Sequence, residues 1–168
     1  MAGCQEVSVM KEVLEILESD ARLSAGEIAI MLSMEEEEIQ RVIKELEKKK
    51  VILKYMTLVN WEKAGEEKVL AMIEVRVTPQ RDTGFDAVAE RIYRFPQVRS
   101  MHLMSGAYDL AVFVEGQNMR EVSHFVATKL ATIEGVLSTT THFVLRTYKQ
   151  DGVILEDGEK DRRLAVSP

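Results

Sequence analysis

Val98-Arg99-Ser100-Met101-His102-Leu103-Met104 and Leu110-Ala111-Val112-Phe113-Val114, joined by Ser105-Gly106-Ala107-Tyr108-Asp109, decide the fold. Both flanks are rich in apolar and β-branched residues, and the link carries a glycine and an aspartate. That is the composition of a strand, a turn and a second strand. Working outward, Phe85 to Phe95 places Val88, Ala89 and Ile92 on one helical face, and Pro96 stops it. Before it, Leu70 to Val77 reads as a strand ended by Thr78-Pro79; after the pair, Met119 to Ile133 reads as a helix and Val136 to Tyr148 as a long final strand. The order is βαββαβ. It predicts a four-stranded antiparallel sheet with two helices on one face, the ferredoxin-like plan.

The N-terminal block has a different texture. Val9, Val13, Ile16 and Leu17 form an amphipathic helical stripe that breaks at Asp20-Ala21-Arg22-Leu23. Ser24 followed by Glu27 has capping-box spacing for a second short helix carrying Ile28, Ala29, Met31 and Leu32. Ser33 and Glu36 repeat that spacing ahead of a third helix, whose inward face is Ile39, Val42, Ile43 and Leu46. Val51-Ile52-Leu53 and Tyr55 to Val59 are strand-like and predict a small wing. Three short helices and a wing form the helix-turn-helix plan, although a small helical interaction module fits the same pattern. The expected organisation is a winged helix-turn-helix over 8–60, a charged linker over 61–68, the βαββαβ domain over 69–150 and a C-terminal tail over 151–168.

Composition narrows the function classes. An apolar share of 46% with 30% charged residues describes a globular protein. No stretch reaches the roughly 18 apolar residues of a membrane helix, and no signal peptide is visible. The single cysteine, Cys4, cannot form an internal disulfide, so a reducing, cytoplasmic setting is expected. The net charge of −6 means that any grip on nucleic acid has to come from a local basic patch. No glycine-rich phosphate loop, metal-ligand spacing or nucleophile–base pair appears, so neither an enzyme nor a cofactor nor a metal is expected.

Several runs, in this order, resemble the Lrp/AsnC family of leucine-responsive and feast/famine regulators, from about Val9 to Lys149. In the first block they are Ile28-Ala29 through Leu32, then Ile39, Arg41, Lys44, Leu46-Glu47 and Val51-Ile52. In the second, Gly106-Ala107-Tyr108-Asp109-Leu110 is similar to the family's Gly-x-Tyr-Asp turn, and Gly135-Val136 with Thr139 and Thr141 is similar to its last strand. The resemblance implies an α+β protein: an N-terminal winged helix-turn-helix that binds promoter DNA, hinged to a ligand-sensing (RAM-type) domain. It further implies homodimers made by sheet-to-sheet packing, often assembled into octamers, with an amino-acid effector where dimers meet.

On this reading the third helix enters the major groove. Arg41, Lys44 and Lys48 share a face. Gln40 beside them can read adenine, and Arg41 can take guanine bidentately. Lys48-Lys49-Lys50 and Lys54 reach for phosphates, and Ser24 at the start of the second helix completes the DNA-binding set. The same residues also suit a solvated face with i, i+4 pairs. Glu35-Glu36-Glu37-Glu38 stands where relatives commonly have small polar residues, and Val42 and Glu45 where basic ones are common, so DNA binding here is expected to be weakened. An amino-acid sensor or protein-interaction module without DNA binding is the alternative.

The effector set is Met104, Gly106, Ala107, Tyr108, Asp109, Thr139 and Thr141. Glycine tolerates positive φ and lets a ligand approach the backbone. The N–H groups near Ala107 and Tyr108 suit a carboxylate, and Asp109 an ammonium. Thr139 and Thr141 share one face of their strand, with His142 on the other. Met101, Leu103 and Met104 would line an apolar wall. Read without the resemblance, the same turn is a hairpin and the threonines are strand formers.

Overall fold

The apolar residues of the first block close into one core because each helix offers a single stripe. The computed structural model describes residues 2–79 and 84–155. It divides into two compact units, Met1–Leu58 and Val59–Pro168. In the first, α1 (Ala2–Ser19), α2 (Ala25–Leu32) and α3 (Glu36–Lys48) bury Val13, Ile28, Ile39 and Leu46 against one another. Burying each such side chain stabilises the unit by about 2 kcal/mol. Ser24 caps α2 in a full capping box: its hydroxyl accepts from the Glu27 N–H, while the Glu27 carboxylate accepts from the Ser24 N–H at 2.7 Å.

Three expectations change here. Ser33 does not cap α3. It closes α2 in the left-handed region (φ 55, ψ 46), with its N–H on the carbonyls of Ala29 and Ile30, and Met34 N–H also returns to Ala29. A serine that ends one helix in this way cannot start the next, so α3 begins behind Glu35 with no side-chain cap. Met31 is exposed instead of inward, because the packed stripe of α2 is Ala25, Ile28, Ala29 and Leu32, and Met31 falls beside it. The wing strands are absent among the described residues. Val51 and Ile52 N–H groups fold back onto the Leu46 carbonyl after a left-handed Lys50, and the Tyr55 hydroxyl donates to Glu47 at 3.0 Å. These bonds tie the segment to α3 and leave it no ladder partner.

The second unit follows the βαββαβ order: β1 (Val69–Val77), α4 (Asp86–Tyr93), β2 (Val98–Leu103), β3 (Leu110–Gly116), α5 (Met119–Phe125) and β4 (Val136–Phe143). The sheet order is β2-β3-β1-β4, antiparallel throughout, with Val75 opposite Leu110 on one side and Thr139 on the other. Strand alternation sets the two faces. Ala71, Ile73, Val75 and Val77 of β1 join Leu110, Val112 and Val114 of β3 beneath Val88, Ile92, Val122 and Leu130. Leu70, Met72, Glu74 and Arg76 point to the face the helices leave open. The helix starting at Met119 widens after Phe125 into a π-helical turn, Val126–Leu130, closed by Ala131 N–H on the Val126 carbonyl at 2.8 Å. The Thr128 hydroxyl donates to the His124 carbonyl at 2.8 Å, a side-chain competitor that loosens an α ladder.

The final strand stops at Phe143 instead of running to Tyr148. Lys149–Gln150 and Val153–Ile154 pair as a small hairpin, β5 and β6, so the first part of the expected tail is folded; residues 156–168 of that tail lie outside the described residues. The stretch read as a linker is also structured: the Asn60 side chain accepts from Lys63 N–H at 3.1 Å, and the Lys68 ammonium sits 3.8 Å from the Trp61 ring centroid. Among the described residues no helix is long and apolar enough to cross a membrane.

Candidate effector site and DNA-reading helix

The turn between β2 and β3 is held by backbone and side-chain bonds to β1. Asp109 N–H donates to the Val75 carbonyl at 3.1 Å, and the Asp109 carboxylate accepts from Val77 N–H at 2.9 Å. Met104 N–H closes the loop onto the Asp109 carbonyl at 2.8 Å. Arg76, between Val75 and Val77, points to the open face, where its Nε donates to the Ala107 carbonyl at 2.9 Å. Three bonds from consecutive β1 residues thus fix the loop. The second Asp109 oxygen has no hydrogen bond among the described residues.

Gly106 differs from its expected role. Its φ is not positive, and a Cβ there would meet nothing within 4 Å. The backbone beside it is open space. Of the two glycines in the family-like runs, the one with a conformational need is Gly135, at φ +96, where a Cβ would lie 2.9 Å from Val88 Cγ2. Ser105, Gly106 and Ala107 are exposed, while Tyr108 and Asp109 are half-buried.

The structure brings Met104, Gly106, Ala107, Tyr108 and Asp109 together, but not the two threonines with them. Thr139 and Thr141 stand opposite Val75 and Ile73, so they point to the helix side of the sheet. One strand lies between them and the turn, about 10 Å of sheet. Their open-face neighbours are Ser138, Thr140 and His142, the last with its Nε2 3.2 Å from Glu74. Met101 packs into the main core and forms no wall for a ligand. Arg76 was not singled out from sequence. Alternation placed it outward, but only the tertiary pairing of β1 with the turn brings it to Ala107.

On α3 the candidate DNA contacts Gln40, Arg41, Lys44 and Lys48 are all exposed, as is Lys54 beyond the helix. Two of them are engaged within the helix. Gln40 Nε2 donates to Glu36 at 2.9 Å, and Arg41 Nε to the Glu37 carbonyl at 3.3 Å. Lys49 pairs with Glu45. Ser24 belongs to the capping box, and its N–H and hydroxyl on the Glu27 carboxylate hold that group below its usual pKa. The Arg22 guanidinium similarly pulls Asp20 down to about 2. Burial, then the bond to Glu47, pushes the Tyr55 phenol up.

Residues 70–154 match the family model of the Lrp/AsnC ligand-binding domain. The chain is 50% identical over 158 residues to the HTH-type transcriptional regulator YugG of Bacillus subtilis, covering 94% of this chain and 95% of that one. It is 33% identical over 139 residues to an HTH-type regulator of Pyrococcus furiosus, covering 83% and 91%. Among solved structures, AsnC of E. coli superposes with a TM-score of 0.68 at 20% identity, covering 85% and 94%. A Neisseria meningitidis regulator described as a complex with L-Met superposes at 0.70 and 24% identity, covering 84% and 91%. The helix-turn-helix arrangement, the βαββαβ sheet and these matches agree, and the chain belongs to the Lrp/AsnC family of HTH-type transcriptional regulators.

Proposed function

We propose that an α-amino acid binds at the β2–β3 turn and changes how this regulator holds promoter DNA. One observation carries the reading: the turn is fixed to β1 by three bonds, yet leaves the backbone around Gly106 open and one Asp109 oxygen without a hydrogen bond among the described residues. A preformed loop with exposed backbone at Gly106 and Ala107 and a carboxylate suits a small zwitterion. The L-Met complex of the Neisseria structure supports the same ligand class. Met104 and Tyr108 flank the turn for an effector side chain. Thr139 and Thr141 point to the helix side of the sheet and stand apart from this site. The open sheet face, with Leu70, Met72 and Phe113, suits self-association, as a homodimer that assembles to an octamer. The 69–150 domain then senses and oligomerises, the 8–60 domain reads double-stranded DNA in the cytoplasm, and 61–68 joins them.

A second reading has its own observation. Glu36 and Glu37 engage Gln40 and Arg41 on the face that would meet DNA, which favours an amino-acid sensor or protein-interaction module with weakened DNA binding. Binding of the protein to its own upstream DNA, titrated across salt concentrations, separates the two. Affinity that falls steeply as salt rises supports a DNA regulator. Absence of binding even at low salt supports the sensor alone.

A further inference from the structure

The strand residue between the two that clamp Asp109 has its own chemistry. Arg76 reaches the open face and donates from Nε to the Ala107 carbonyl at 2.9 Å. Arg22, Arg91, Arg94 and Arg99 each lie against a carboxylate. Arg76 meets only a backbone carbonyl among the described residues, although Glu74 shares its face. Glu74 is instead held by His142 at 3.2 Å. With Nε engaged, the Nη1 and Nη2 edge remains, and that edge can take a carboxylate in two parallel bonds. It is fixed beside Gly106, where a Cβ would meet nothing within 4 Å. An exposed cation oriented by one bond is a preorganised anion receptor.

We infer that Arg76 anchors the carboxylate of the effector, and so restricts the site to ligands that carry one. The inference rests on the effector reading above and deepens it. The zwitterion would then lie across the turn, its carboxylate on the Arg76 fork and its ammonium toward the second Asp109 oxygen. Arg76 would both shape the turn, through Ala107, and select the ligand. A residue that only shaped the turn would not distinguish an acid from its amide.

The common amino acids are screened by thermal shift against the full-length protein. The strongest binder is then titrated by calorimetry as the free acid and as its primary amide, into wild type, R76K and R76Q. Gln can still donate to Ala107, and melting without ligand checks that each variant is folded. Loss of a two-bond carboxylate contact predicts at least about tenfold weaker binding of the acid to R76Q. The amide affinity should stay within about twofold, and R76K should fall between wild type and R76Q. Equal weakening of acid and amide, or unchanged binding of the acid, overturns the assignment. Equal affinity of wild type for acid and amide overturns it without any variant. If no amino acid binds wild type, the effector reading itself falls and this assignment with it. If binding persists with its preference for the acid unchanged in R76Q, only Arg76 is removed.

Discussion

The Asp109 carboxylate accepts the Val77 N–H at 2.9 Å, so a residue of the turn completes the hydrogen bonding at the end of the central strand. The same residue donates its own N–H to Val75. Removing the carboxylate leaves a half-buried N–H without its acceptor. D109A should therefore destabilise the protein by about 1–3 kcal/mol, and D109N by less, because an amide oxygen can still accept. Urea denaturation midpoints measure both. If Asp109 also pairs with an effector ammonium, D109N should bind amino acid more weakly while remaining folded, and equal calorimetric titrations would remove that role.

Two glycines should respond in opposite ways. Gly135 is at φ +96 with Val88 against its missing Cβ, so G135A should cost about 1–3 kcal/mol. G106A should leave the melting temperature close to wild type, since its backbone is not left-handed and its surroundings are open. A larger G106L substitution fills the space proposed for the effector. It should weaken amino-acid binding without a matching loss of stability, which thermal melting and calorimetry on one preparation decide.

The α2 cap sets a pH dependence. Glu27 is held below its ordinary value of 4.5 by the Ser24 N–H and hydroxyl. A depressed carboxylate contributes stability that is fully present above the ordinary value and disappears as pH falls through the lowered one. The stability gap between wild type and E27Q should thus narrow in acid below about pH 4.5. S24A should cost about 1 kcal/mol at neutral pH. Denaturation midpoints against pH for wild type, E27Q and S24A test both statements.

Charge on α3 predicts the DNA behaviour. The carboxylates of Glu36 and Glu37 repel phosphate, and the Glu36 carboxylate also engages Gln40. A combined E36Q/E37Q variant should bind upstream DNA on the order of a few-fold more tightly at low salt. Loss of Arg41 or Lys44 should reduce the salt slope by about one each. Fluorescence anisotropy over a salt series reads both; an unchanged slope in R41A and K44A would place the DNA contact elsewhere.

The βαββαβ order was legible because β1 alternates cleanly between Ala71, Ile73, Val75, Val77 and their outward neighbours, and because Val88 and Ile92 keep helical spacing. The capping box at Ser24 was legible for a similar reason: it is a local exchange of two bonds. Ser33 carries the same residue signature, but its conformation was decided by the carbonyls of Ala29 and Ile30 behind it. The wing failed for a related reason, since Leu46 and Glu47 capture the segment that might have paired. The turn Gly106 through Asp109 was legible from its composition, and its candidacy as an effector site from the resemblance to the family's Gly-x-Tyr-Asp turn. Arg76 was not, because its partner Ala107 is remote in sequence and meets it only through strand register. That register also decides that Thr139 and Thr141 point away from the turn's open side.

The proposed coupling between an amino acid at the turn and DNA affinity is read by one titration. Labelled upstream DNA is titrated with full-length protein at fixed low salt, with and without the strongest-binding amino acid, in wild type and G106L. Such coupling predicts a wild-type dissociation constant that changes by about fivefold or more with amino acid, and a G106L value that does not change. Wild-type DNA affinity indifferent to every amino acid would contradict it.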